Sequence, residues 1–214
     1  MNKITAIIPT GNEAHNIVDA IKSVDFADEI VVSNEELQKR FGGIVIPHVR
    51  NEDVFNPKLY PRKDIRKRIG YTESDQVILF IGTPRFHKGI VQIADALDKI
   101  NDKNVKFCVI GTIEDVRVID RLRKLPKSRF KNLDNISFDD LPYYLSIGDV
   151  ICLYQDPNSA ISEYQMPAKV SDALSMNIPV ITSSVKPLKN LEMHKFLHCV
   201  EDLKELDKVI VKVL

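Results

Sequence analysis

Residues 77–89, Val-Ile-Leu-Phe-Ile-Gly-Thr-Pro-Arg-Phe-His-Lys-Gly, constrain the fold more than any other stretch of the 214-residue chain. Val77 to Ile81 is an unbroken apolar run. It is too short for an amphipathic helix and lacks polar alternation, so it reads as a strand covered on both faces, as in a parallel sheet. Gly82 stops the strand, and Pro84 keeps the next residues out of regular structure. From Lys88-Gly89 onward, Ile90, Ile93, Ala94 and Leu97 recur at helical spacing. A strand, a basic loop and a helix start in that order can hold an anion. Backbone N–H groups and the helix dipole face the loop, and Arg85 and Lys88 add full charges. An ordinary strand-to-helix connection with two solvated cations has the same pattern, and this stretch alone leaves both readings open.

Strand and helix signals alternate along the rest of the chain without a long linker or an internal repeat, which predicts a mainly parallel α/β sheet. Further strands are expected at 4–8, 29–32, 44–46, 105–110, 135–138, 149–154, 178–182 and 196–200. Ile17, Ala20, Ile21 and Val24 recur at helical spacing between the first two of these. Ser33 with Glu36 three residues on makes a capping box for a helix that Gly42-Gly43 ends. Residues 61–69 carry Arg62, Lys63, Arg66, Lys67 and Arg68 against Asp64 and read as a short surface helix with a solvated basic face, ahead of a membrane or acceptor patch. Helices are also expected at 114–125, at 140–145 with Asp140 as cap and Pro142 in the first turn, and at 202–213. In such sheets ligands bind beyond the carboxyl ends of the strands. Gly82-Thr83, Gly111-Thr112, the loop after Tyr154 and the loop before Met166 all fall there.

Residues 166–183, Met-Pro-Ala-Lys-Val-Ser-Asp-Ala-Leu-Ser-Met-Asn-Ile-Pro-Val-Ile-Thr-Ser, reverse the first pattern: a helix with Lys169 and Asp172 near its start precedes a strand led by Pro179. Gly-x5-Lys-Gly followed by Pro-x-Lys-x-x-Asp-Ala-x5-Pro-Val-Ile resembles the C-terminal domain of GT-B glycosyltransferases of family 4, over residues 32–191. The resemblance implies a Rossmann-like parallel sheet and a retaining enzyme that takes a nucleotide-diphosphate sugar as donor. It implies that Lys88 and Arg85 stabilise the leaving diphosphate, with Gly82, Thr83, Gly111 and Thr112 around the donor. Asp172 matches the family's second glutamate, which holds the ribose hydroxyls, and is one methylene shorter. The first glutamate's place is taken by Tyr164, with the acid one residue earlier at Glu163: either the loop shifts by one residue and the resemblance makes Glu163 the catalytic carboxylate, or the sugar contact is lost; Gln165 and Lys169 join the donor contacts. His87 reads as a loop surface residue, and Asn177 stands where the family has glycine.

Residues 1–32, with Ile-Ile-Pro-Thr-Gly-Asn-Glu-Ala-His-Asn-Ile and Ala-Asp-Glu-Ile-Val-Val, resemble the first βαβ unit of family 2 glycosyltransferases but lack the acidic signature expected after the second strand. They read as scaffold. Residues 33–57 resemble the last strand, helix and strand of a family 4 acceptor-side domain, with 48–57, including Asp53 and Phe55, as the interdomain connection. The expected organisation is a reduced N-terminal α/β region at 1–57 and a donor-binding domain at 58–214. A short sheet with an exposed edge also makes homo-oligomerisation an expectation.

Lysine plus arginine and aspartate plus glutamate both total 30, so net charge gives no argument for nucleic acid as a partner. Cys108 and Cys152 lie in apolar runs, and Cys199 has no metal-ligand or Cys-x-x-Cys spacing, which points to buried thiols in the cytoplasm. No apolar segment approaches bilayer length, while docking at the inner membrane face stays open. No metal and no cofactor beyond the donor is expected, since in the resembling fold cations and helix dipoles do a metal's work. The acceptor is unidentified: a sugar, a lipid-linked sugar or a polysaccharide. A donor-binding module that transfers nothing, and a plain α/β domain with no nucleotide site, are the competing readings.

Overall fold

A computed structural model of the chain describes residues 5–7, 27–158, 162–189, 191 and 195–214. Nine strands in the described residues form two sheets. The smaller one runs β1 (Thr5–Ile7), β2 (Glu29–Val32), β3 (Ile44–Val45), all parallel. The larger contains β4 (Gln76–Ile81), β5 (Val105–Ile110), β6 (Phe130–Leu133), β7 (Val150–Leu153), β8 (Val180–Ser183) and β9 (Leu197–Val200), again all parallel, in the order β6-β5-β4-β7-β8-β9. The chain leaves β4 toward one edge and returns beside β4 through β7 toward the other. That reversal defines a doubly wound, Rossmann-like sheet, and it opens a crevice at the carboxyl ends of β4 and β7.

The helices, in chain order, are α1 (Glu35–Phe41), α2 (Arg62–Ile69), α3 (Ile90–Lys99), α4 (Val116–Leu122), α5 (Leu141–Leu145), α6 (Ala168–Ser175), α7 (Lys186–Lys189) and α8 (Leu206–Val213). Every residue of β4 after Gln76 is buried, as a strand covered on both faces must be. The spacing that predicts α3 also gives its buried face, Ile90, Ile93, Ala94 and Leu97. The helix expected around Ile17 lies outside the described residues, as does most of segment 1–32.

Several local expectations shift for identifiable reasons. The strand expected at 135–138 is not there; the edge strand is β6, where Phe130 pairs in register with Phe107 and their ring centroids lie 5.9 Å apart. The Ser33 cap moves one residue. Asn34 Oδ1 accepts from Leu37 N at 3.0 Å, while its Nδ2 donates to the Tyr164 carbonyl at 2.8 Å. The amide thus caps α1 and ties it to the larger unit, using two atoms where serine has one. Glu36 pairs with Lys39 instead of closing the box. Asp140 precedes α5 without a side-chain bond to it and accepts from Ser137 Oγ at 2.7 Å. The last helix opens with a 3-10 turn, Leu203–Glu205.

The basic face of α2 is not simply solvated. Ile65 and Arg66 are buried. Arg66 donates to the Ile147 carbonyl at 2.9 and 2.7 Å and to the Asp75 carbonyl at 3.0 Å, and Arg66 and Arg62 both pair with Asp149. Arginine's planar fork makes this multiple contact possible, and it fixes α2 against the start of β7. Among the described residues, the core at the small sheet is Val32 and Leu37 backed by Ile30, Phe41, Val45 and Tyr164. Ile44 and Ile46 are exposed along its edge strand. Among the described residues, no helix is long and apolar enough to cross a membrane.

Candidate functional site

The crevice is built by close backbone approaches. Gly82 ends β4 with φ 112° and Gly111 ends β5 with φ 143°. A Cβ on Gly111 would lie 2.3 Å from the Gly82 carbonyl oxygen, so the two strand ends can touch only as glycines. A Cβ on Gly82 would lie 2.6 Å from Lys169 Cε, which shows the lysine of α6 lying across the end of β4. Gly89, at φ 75°, joins a 3-10 turn (Phe86–Lys88) to α3; a Cβ there would lie 2.4 Å from Tyr154 Cβ.

These approaches enclose a cavity of about 520 Å³. Arg85 and Lys88 reach it from the loop after β4, Lys169 from α6, Gln155 and Gln165 from the loops between β7 and α6, and His48 from the segment after β3. Among the described residues, Arg85, Lys88 and Lys169 make no side-chain hydrogen bond or ion pair. The result is three cations around one space, whose lining includes one carboxylate, the exposed Asp156. Burial, with the charges of Lys169 and Arg85 beside it, brings the Lys88 ammonium down to about 8. Burial also lowers Lys169, against the opposing pull of Asp172. Such an arrangement is electrostatically incomplete and favours an anion with more than one charge.

Of the residues singled out from the sequence, Arg85, Lys88, Gln165 and Lys169 converge on the cavity, and Gly82 and Gly111 form the backbone beside it. Thr83 and Thr112 are exposed and do not line it; the Thr112 N–H donates to Asn135 Oδ1 at 3.2 Å. Glu163 pairs with Lys186. Tyr164 turns toward the small sheet, with the Arg40 guanidinium 4.8 Å from its ring centroid. Asp172 is 6% exposed, does not line the cavity, and pairs with Arg50. Burial raises the Asp172 carboxyl, and Arg50 is the strongest charge opposing that rise.

Sequence reasoning missed Arg50, His48, Tyr154 and Gln155. Arg50 is the centre of the missed group: besides Asp172 it meets the Val49 carbonyl at 2.8 Å and the Ala168 carbonyl at 3.5 Å, and it lies 5.6 Å from the Phe55 and 5.9 Å from the Phe138 ring centroids. This fastens the segment carrying His48 to the first turn of α6. Its only sequence signal is a lone arginine before Phe55, with the partner carboxylate 122 residues away.

The family described as glycosyl transferases group 1 matches residues 75–214. Among solved structures, the fold is similar to Anabaena HepE in complex with UDP and glucose, with TM-score 0.71 and 18% identity over 94% of this chain and 57% of that one. It is also similar to sucrose-phosphate synthase from Thermosynechococcus elongatus, with TM-score 0.66 and 20% identity over 94% and 53% of the two chains. A glycosyltransferase from Rickettsia africae aligns with TM-score 0.67 and 15% identity over 86% and 52%. At these identities the likeness is one of fold, and the fold is that of GT-B glycosyltransferases. The chain spans little more than half the length of each of these structures. No curated protein matches it in sequence.

Proposed function

The chain belongs to the glycosyl transferases group 1 family, and from that premise we propose that it holds a nucleotide-diphosphate sugar and serves its transfer, with retention, to an acceptor. The observation that carries this reading is the set of three cations, Arg85, Lys88 and Lys169, which face one cavity at the ends of β4 and β7 and make no side-chain hydrogen bond or ion pair among the described residues. A diphosphate supplies the missing charge, and lysine is suited to it as a point charge. As the bond to the sugar breaks, negative charge grows on the departing diphosphate, and fixed cations stabilise it most at that moment. We take residues 58–214 as the donor-binding unit and Arg50, through Asp172, as its tie to the preceding region. Uridine diphosphate is the first donor base to test, because HepE was solved with UDP.

A second reading, a module that holds the nucleotide without transferring sugar, is favoured by the acids. Glu163 is engaged by Lys186 and Asp172 by Arg50, so neither carboxylate expected to grasp the donor is presented to the cavity. Thermal shift and calorimetry with uridine, guanosine and adenosine diphosphates test binding, and release of sugar from the bound donor tests chemistry. Binding with sugar release supports the enzyme; binding without it supports the module; no binding of any diphosphate refutes both.

A further inference from the structure

The turn that presents Lys88 to the cavity is held from a different loop. Phe86–Lys88 is a 3-10 turn, and Arg85 before it makes no side-chain bond to the turn. The N–H that opens the turn, that of Phe86, donates instead to Asp115 Oδ2 at 3.1 Å, 29 residues further along the chain. Asp115 Oδ1 meanwhile accepts from the Arg117 N–H at 3.1 Å and caps α4. One carboxylate thus caps two helical starts, its own and that of the turn. The Arg117 side chain closes the arrangement. It donates to Asp115 from Nε at 3.1 Å and from Nη2 at 3.0 Å, and its guanidinium lies 4.3 Å from the Phe86 ring centroid.

The turn separates two sets of side chains. Arg85, His87 and Lys88 line the cavity, whereas Phe86 packs on Arg117, and neither Asp115 nor Arg117 is part of the lining. Arg117 and the Phe86 N–H hold the Asp115 carboxyl down at about 2, so it is charged at neutral pH. The charges that press on Lys88 are those of Lys169 and Arg85, and Asp115 bears on it through the backbone of the turn. Resting on the donor reading above, we propose that Asp115 is a positioning residue: it caps the turn Phe86–Lys88 from the neighbouring loop and so fixes Lys88 against the diphosphate. Lysine has a flexible four-carbon stem, and a backbone fixed at its root limits where the ammonium can go. A cation placed in advance also avoids the ordering cost that a mobile loop bears on binding.

The test is a double-substitution cycle read by calorimetric titration of UDP, GDP and ADP. Asp115→Ser is the informative change, since serine caps α4 as well as aspartate does and is too short to reach Phe86. It is measured in the wild-type chain and in Lys88→Ala, with the melting temperature as the control for folding. In the wild-type chain Asp115→Ser weakens the preferred diphosphate about fivefold, the scale of one lost cap. In Lys88→Ala it costs no more than about twofold, because the group it positions is gone. A general loosening of the fold lowers affinity by the same factor in both chains, so equal losses overturn the proposal. Unchanged affinity of Asp115→Ser in the wild-type chain overturns it too. Arg117→Ala, at an exposed position, leaves both caps in place and costs about twofold in the wild-type chain and nothing in Lys88→Ala. It decides the matter on the same terms if Asp115→Ser does not fold. These outcomes leave the diphosphate site standing. A wild type that binds no diphosphate refutes the donor reading and this role with it.

Discussion

In the proposed diphosphate site, Lys88 is the side chain on which the reading turns. Its ammonium is half-buried and pressed by Lys169 and Arg85. Because its folded value, about 8, lies below the ~10.4 of an unfolded lysine, the folded chain sheds this proton first. Stability of the free protein therefore gains from this group as pH rises through that window. Binding has the opposite sign. A diphosphate raises the ammonium's value again, so above about 8 the complex carries a proton the free chain has lost. Affinity for a nucleoside diphosphate should be greatest between about 7, where its terminal phosphate is ionised, and that pH, and fall by up to about tenfold per unit above it. Calorimetry at a series of pH values measures this, and affinity still rising above that pH would contradict it. Gly82→Ala makes a steric test of the same site: its Cβ would meet Lys169 at 2.6 Å on a backbone at φ 112°. It should weaken diphosphate binding and lower the melting temperature together. Arg85 and Lys88 were legible in the sequence because they lie beside Pro84 and Gly89, which mark a loop, and Lys169 because it falls in a helix start two residues after Pro167. The engagement of Asp172 was not, because ion pairing between distant segments leaves no local pattern.

Among the elements, the segment between β3 and α2 contributes more than a connection does. Arg50 reaches α6 from it and compensates a buried carboxylate. Arg50→Ala leaves Asp172 buried without that partner and should cost about 3–5 kcal/mol in urea unfolding, whereas Arg50→Ala combined with Asp172→Asn should recover part of the loss. No recovery would mean that arginine's packing on Phe55 and Phe138 matters more than the charge. Strands β4, β5, β7 and β8 were readable because apolar runs of that length have few alternatives in a parallel sheet. Strand β6 was not, since Phe-Lys-Asn-Leu is half-exposed at the edge and owes its place to the Phe107 ring. The cap of α1 was missed by one residue for a related reason. Ser33 and Asn34 are both good caps locally, and the contact with Tyr164 decides between them.

At the scale of the whole molecule, the described residues form one large core and one small one. The six-stranded sheet carries a continuous apolar core, while among the described residues the buried core at the small sheet is Val32 and Leu37, with Tyr164 of the larger unit packed against it. Amide hydrogen exchange should therefore show β4 and β5 protected to nearly the global stability, and β2 and β3 opening at lower free energy. Equal protection of both sheets would contradict this division. The central claim is that the cations around the crevice await a diphosphate, and titration of the preferred nucleoside diphosphate into wild type and Lys88→Ala tests it most directly. A charge-assisted contact is worth about 1.5–3 kcal/mol, so the variant should bind at least about tenfold more weakly. Its melting temperature should be unchanged or higher, since removing Lys88 relieves repulsion from Lys169 and Arg85. Equal affinity in the two proteins, or an unfolded variant, would contradict the assignment.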